Sequence, residues 1–148
     1  MGTGSTEQLG RAARAISNEG LQSRVTLLNK VSDARLSSLY KHCRLLACPS
    51  LYDGFGLPVL EAMLHGAPIA CSSVSSLPEV AGNAAILFNP LSVEDMADKL
   101  QVLLGSPDLA TRLSEAGRHR APLFTWERTA STIYEAASVL AAGSGQKR

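Results

Sequence analysis

Asp53 and Glu61 frame the stretch most able to do chemistry, DGFGLPVLE. Carboxylates accept paired hydrogen bonds from vicinal hydroxyls, the groups that a sugar ring and a ribose both present. Between the two acids, Gly54 and Gly56 permit positive φ and close approach of a ligand to the backbone, and Pro58 suits a first helical turn. Such a turn offers backbone amides at the positive end of a helix, where hydroxyls or phosphate are held. On this reading Asp53 holds a hexose hydroxyl at the entrance of the turn. Glu61, one turn inside the helix, takes the ribose. The plainer alternative is that glycine, aromatic and proline are ordinary turn residues and that an acid near a helix start only answers the dipole. Leu60, Ala62, Met63 and Leu64 surround Glu61 in sequence, and an acid among such neighbours usually has a partner.

The elements that must position these acids follow from the apolar pattern. Arg24–Leu28 (RVTLL), Arg44–Pro49 (RLLACP), Pro68–Ser72 (PIACS) and Ala84–Phe88 (AAILF) are short apolar runs separated by helical segments. That alternation predicts an α/β fold: a Rossmann-like parallel sheet flanked by helices and buried on both faces. Helices are expected over 5–19, stopped by Gly20, over 33–42, capped by Ser32, and over 58–65, stopped by Gly66. A short helix follows Ser76, and three more run near 92–104, 107–119 and 125–141, with starts at Ser92, Ser106 and Thr125. The acid-bearing turn then leaves the strand at Leu45–Cys48, and in open α/β sheets ligands bind beyond the carboxyl ends of strands. Ser76 and Glu79 fit a capping box, S-x-x-E, which suffices to explain that acid. Trp126 reads as a packing anchor for the last helix. The tail GSGQKR has no core role.

Composition narrows the partner. Lys+Arg 14 against Asp+Glu 13 leaves no net field to recruit nucleic acid or anionic lipid. Cys43, Cys48 and Cys71 lack C-x-x-C spacing and read as small buried hydrophobes of a reducing compartment. His42, His65 and His119 form no ligand pair, so no metal site is expected. No apolar run approaches the roughly 20 residues of a membrane helix, and the N-terminus has no leader pattern, so the chain reads as cytoplasmic. With 148 residues and no internal linker, one domain around one core is expected.

The run CPSLYDGFGLPVLEAMLHGAPIACSSVSSLPEVAGNAAILFNP, followed by FTWERTA at Phe124–Ala130, closely resembles the signature region of GT-B-fold retaining glycosyltransferases, the "glycosyl transferases group one" family. The likeness extends from about Gly20 to Ala137. Its mark is glutamate, seven residues, glutamate; here it is Asp53, seven residues, Glu61. The resemblance implies a sugar-nucleotide donor, UDP-, GDP- or ADP-linked, as substrate rather than a cofactor. It assigns Asp53, Phe55, Gly56 and Leu57 to the donor sugar, with Asp53 the catalytic candidate. Glu61 goes to the ribose, and the loop Asn29–Val31, with Lys30 and Val31, to the nucleobase. Aspartate in place of glutamate draws the carboxylate back by roughly 1.5 Å, a large step for hydrogen bonds, which puts donor-sugar preference in question.

The resemblance makes residues 1–148 only the latter part of a C-terminal donor domain. It implies an acceptor domain, for a glycan or lipid, and a first β-α-β that brings an arginine and a lysine to the diphosphate, neither of which these residues match. Those cations supply the dominant electrostatic term of such chemistry, so the expectation is donor binding without turnover. In a full-length protein of this kind a peripheral location at the inner face of a membrane is also compatible. The strand at Arg44–Pro49 is expected to show an unpaired edge, open to self-association. The alternative function is a non-catalytic Rossmann-like binding or assembly module. A nicotinamide-dependent reductase lacks the G-x-G-x-x-G it needs after a first strand.

Overall fold

A computed structural model of the chain describes residues 6–144. Ser5, expected to open the first helix, and most of the tail, residues 145–148, lie outside the described residues. Contacts divide the chain into two compact units, residues 1–38 and 39–148, where the sequence suggested a single core.

The first unit carries α1 (Thr6–Asn18) and most of α2 (Asp33–His42). Gly20, at φ 65°, stops α1 as expected, with the Leu21 N–H reaching back to the Ile16 carbonyl at 2.9 Å. Ser32 caps α2 by accepting the Arg35 N–H at 3.3 Å. The run Arg24–Leu28 is not a strand. Its β-prone residues are real, but a strand exists only when a neighbour supplies a ladder. Val25, Leu27 and Leu28 instead lie exposed, and Arg24 and Val25 turn back to the Leu21 carbonyl.

The second unit contains the sheet, β1 (Leu46–Cys48), β2 (Ile69–Ser72) and β3 (Ile86–Phe88), parallel throughout and in the order β1-β2-β3. Register pairs Cys48 with Cys71 and Ser72 with Phe88. All four residues of β2 are buried, as a central parallel strand requires, and β1 is an edge strand. The fold class is therefore as expected, an α/β parallel sheet flanked by helices.

Between the strands run α3 (Leu57–His65) and α4 (Leu77–Ala81), followed by α5 (Val93–Gly105), α6 (Pro107–Arg120), a 3₁₀ turn (Ala121–Leu123) and α7 (Trp126–Ser144). Local caps place the later helices where the sequence predicts them. Ser92 accepts the Asp95 N–H at 3.1 Å, Ser106 the Leu109 N–H at 3.4 Å and Thr125 the Arg128 N–H at 3.2 Å. Ala70, Phe88, Leu103 and Leu113 form a buried cluster where sheet, α5 and α6 meet. Cys48 and Cys71 are buried and Cys43 is half-buried; burial pushes the Cys71 thiol up to about 12. Trp126 departs from its expected role. It is 84% exposed and anchors nothing in the core, and Ile133, Tyr134, Val139 and Leu140 of the same helix are exposed as well.

Candidate functional site

The turn between β1 and α3 is built by Asp53 itself. Its Oδ1 accepts the Phe55 N–H at 3.1 Å and the Gly56 N–H at 2.7 Å. Two of the amides expected to await a ligand are thus already engaged, because an aspartate two and three residues upstream reaches them with no chain closure to pay for. Leu57 opens the helix, and its N–H has no partner among the described residues, as first-turn amides do not. Oδ2 of Asp53 makes no hydrogen bond among those residues either.

A second loop clasps the first. Ser75, after β2, donates its hydroxyl to the Asp53 carbonyl at 2.7 Å and accepts the Asp53 N–H at 3.1 Å. Ser76 donates to the same carbonyl at 2.8 Å. This corrects the capping-box reading: Ser76 precedes α4 but its side chain bonds no helix amide, and Glu79 is exposed. Because the strands are parallel, both loops lie at the carboxyl edge of the sheet, where the pairing of β1 with β2 brings their ends together.

Gly56 ends the turn at φ 96°, a region that disfavours any side chain. Space forbids one too, since a Cβ there would meet Leu77 Cδ2 at 2.8 Å. Phe55 rests edge-on against Phe124, with ring centroids 5.8 Å apart, and the Arg120 guanidinium sits 5.5 Å above Phe124. Arg120 is fixed in turn by bonds to the Val80 and Glu79 carbonyls at 2.7 and 2.6 Å.

Glu61 lies one turn into α3, whose three flanks differ. Val59, Ala62 and Met63 are buried; Leu57 and Leu64 are exposed; Glu61 and His65 lie on the remaining flank. Glu61 is half-buried and accepts a hydrogen bond from the Tyr40 hydroxyl at 3.1 Å. Tyr40 is a residue of this site that the sequence pattern of two spaced acids does not include. The signal was present in halves, since a buried phenol and an acid among apolar residues each need a partner. Burial first, then the Glu61 bond, raise the Tyr40 phenol well above its ordinary range, so it stays a donor.

The profile of the family described as "Glycosyl transferases group 1" matches residues 3–120. The chain belongs to that family. It is 36% identical over 138 residues to an MMP alpha-(1->4)-mannosyltransferase of Mycolicibacterium hassiacum, covering 88% of this chain and 34% of that protein. To the O-antigen chain mannosyltransferase B of Escherichia coli it is 38% identical over 110 residues, 74% of this chain and 29% of the relative. Among solved structures, a sucrose-phosphate synthase from Thermosynechococcus elongatus superposes with a TM-score of 0.79 at 28% identity, covering 90% of this chain and 34% of that one. The chain spans about a third of the length of these relatives.

In this group 1 glycosyltransferase chain, Asp53, Phe55, Gly56 and Leu57 come together in one loop and Glu61 follows on the helix it feeds. No bond joins the two acids: Asp53 is held by Ser75 and Ser76, Glu61 by Tyr40. Lys30 and Val31 belong to the first unit. An apolar groove of about 840 Å³, lined by Phe55, Leu57, Leu60, Leu64, Phe124 and Trp126 among others, has neither acid in its lining. Among the described residues no group of His, Cys, Asp and Glu is placed to hold a metal ion, and no helix is long and apolar enough to cross a membrane.

Proposed function

We propose that the chain is the nucleotide-sugar-binding part of a retaining hexosyltransferase. The observation that carries this reading is the β1–α3 turn, held by Asp53 and clasped by Ser75 and Ser76, which runs into a helix bearing a half-buried Glu61 whose Oε1 has no hydrogen bond among the described residues. Asp53 Oδ2 and the Leu57 N–H take donor-sugar hydroxyls. Phe55 and Gly56 act by shaping the turn through which those groups are offered. Glu61 takes the ribose diol. The loop of Lys30 and Val31 carries the nucleobase assignment by resemblance, and Lys30→Ala tests that loop by itself.

Two of the relatives are named mannosyltransferases, so GDP-linked mannose heads the donors to try, with UDP- and ADP-linked sugars beside it. Breaking the bond from the anomeric carbon leaves negative charge on the diphosphate. Preorganised cations are the largest stabilising effect available for such charge, and the described partners of the two carboxylates are a phenol hydroxyl and backbone amides only. These 148 residues alone are therefore proposed to bind donor without turnover, the acceptor being held by a domain they do not include.

Calorimetric titration of the three donor classes into the chain and into an Asp53→Ala, Glu61→Ala double variant tests the reading. Saturable binding lost in the double variant is expected; equal behaviour of the two proteins counts against it. A second reading, an assembly module, is favoured by the exposed apolar groove and by the position of β1 at the edge of the sheet among the described residues. A stable oligomer by light scattering, without nucleotide affinity, would select it.

A further inference from the structure

We infer that Tyr40 is a positioning residue for Glu61, fixing the carboxylate so that its remaining acceptor sites match the two hydroxyls of a donor ribose. The inference rests on the donor-site reading and names a residue outside the Asp53–Glu61 stretch. Three contacts converge on this flank of α3. The Tyr40 hydroxyl donates to Glu61 Oε2 at 3.1 Å. The Tyr40 ring lies against the His65 ring, with centroids 5.7 Å apart and planes inclined by 30°. His65 Nδ1 is 2.8 Å from the Glu61 backbone carbonyl, so the ring that Tyr40 packs on is tied to the same residue.

A carboxylate has about four lone-pair sites on its two oxygens. Tyr40 uses one on Oε2, and Oε1 has no hydrogen bond among the described residues. What is left is one site on Oε2 and two on Oε1 in a fixed plane, so that each oxygen can still accept one hydroxyl of a vicinal diol. A free glutamate would have to give up rotamer freedom on binding; here much of that cost is met in folding, because Tyr40 is only 8% exposed and cannot wander. A tyrosine present only to fill the core would need no particular acid beside it. Here its partner is the second acid of the Asp53–Glu61 pair.

Tyr40→Phe removes the hydroxyl and keeps the ring on His65. The test compares GDP with 2′,3′-dideoxy-GDP, and the UDP and ADP pairs in parallel, on the unmodified chain, Tyr40→Phe, Glu61→Gln and the double variant, with thermal midpoints recorded for each. The unmodified chain is expected to prefer the ribose form by about tenfold or more. Tyr40→Phe should lose about fivefold in ribonucleotide binding and nothing in dideoxynucleotide binding, at a similar midpoint. In the Glu61→Gln background the same change should have no further effect on the ratio. Full ribose preference in Tyr40→Phe overturns the inference, as does an equal loss for both nucleotides with a lowered midpoint, which marks a purely structural tyrosine. Binding without ribose preference in the unmodified chain overturns it while leaving the donor site standing. If the unmodified chain binds none of the six nucleotides, the donor-site reading falls and the inference with it.

Discussion

Asp53 and Glu61 are the same kind of group eight positions apart, yet the fold uses them in opposite ways. Asp53 turns inward on its own loop, giving Oδ1 to the amides of Phe55 and Gly56. Among the described residues its distant ties run through its backbone, to Ser75 and Ser76. Glu61 makes no local side-chain bond and reaches 21 residues back to Tyr40. The first acid builds the turn; the second is held ready by something else. On the proposed reading, a signature of two spaced acids combines a structural and a receptive role, and substitutions should separate them.

The largest effect is expected where the turn meets the core. Gly56→Ala must place a Cβ at φ 96° and 2.8 Å from the fully buried Leu77. Strain and displacement of Leu77 together should cost about 2–4 kcal/mol. Urea unfolding with an unchanged slope and a lowered midpoint is the expected result; a loss below about 0.5 kcal/mol would mean the turn is far softer than its geometry implies.

Next comes the loop-building acid. Asp53→Ala leaves two amides without their acceptor at a half-exposed site and should destabilise by about 1–2 kcal/mol, besides weakening donor-sugar binding. Asp53→Asn retains an acceptor oxygen and should recover most of that stability while still binding the sugar poorly. Should Asn restore neither or both, the division of labour drawn for this residue is wrong.

How much of this was legible depended on how locally each feature is determined. Ser32, Ser92, Ser106 and Thr125 cap where the sequence places them, since a cap needs only a hydroxyl and an amide two or three residues on. Three apolar runs became strands for the equally simple reason that each found a parallel neighbour. The fourth, Arg24–Leu28, has the right residues and no ladder. Ser76 shows the same limit at the level of a single side chain, its S-x-x-E pattern overridden by a carbonyl 23 residues earlier. The family signature made Asp53 and Glu61 readable as a pair. Their actual partners, Ser75, Ser76 and Tyr40, were not, because long-range hydrogen bonds leave no spacing rule behind.

Ser76→Ala probes the clasp with a smaller effect. One of two hydroxyls on the Asp53 carbonyl is lost while Ser75 still donates, so about 0.5–1 kcal/mol is expected. Were Ser76 a cap instead, Glu79→Ala would cost a similar amount, since both halves of a capping box contribute. With the hydroxyl committed to Asp53, Glu79→Ala should be neutral within about 0.5 kcal/mol. Comparing the two midpoints therefore discriminates the long-range clasp from the local box.

The smallest stability change is expected at Glu61, and that smallness sharpens the comparison. Glu61→Gln keeps an amide oxygen to accept from the Tyr40 hydroxyl and alters no packed atom count on a flank that is only half-buried. Unfolding free energy should move by less than about 0.5 kcal/mol. Ribonucleotide affinity should nevertheless fall, because hydrogen bonds from the ribose to a charged acceptor are roughly twice as strong as those to a neutral one. A residue whose loss barely moves stability but moves binding is one the fold maintains for a ligand. The reverse outcome, with Glu61→Gln as costly as Asp53→Ala, would make both acids structural and return the turn to ordinary loop chemistry.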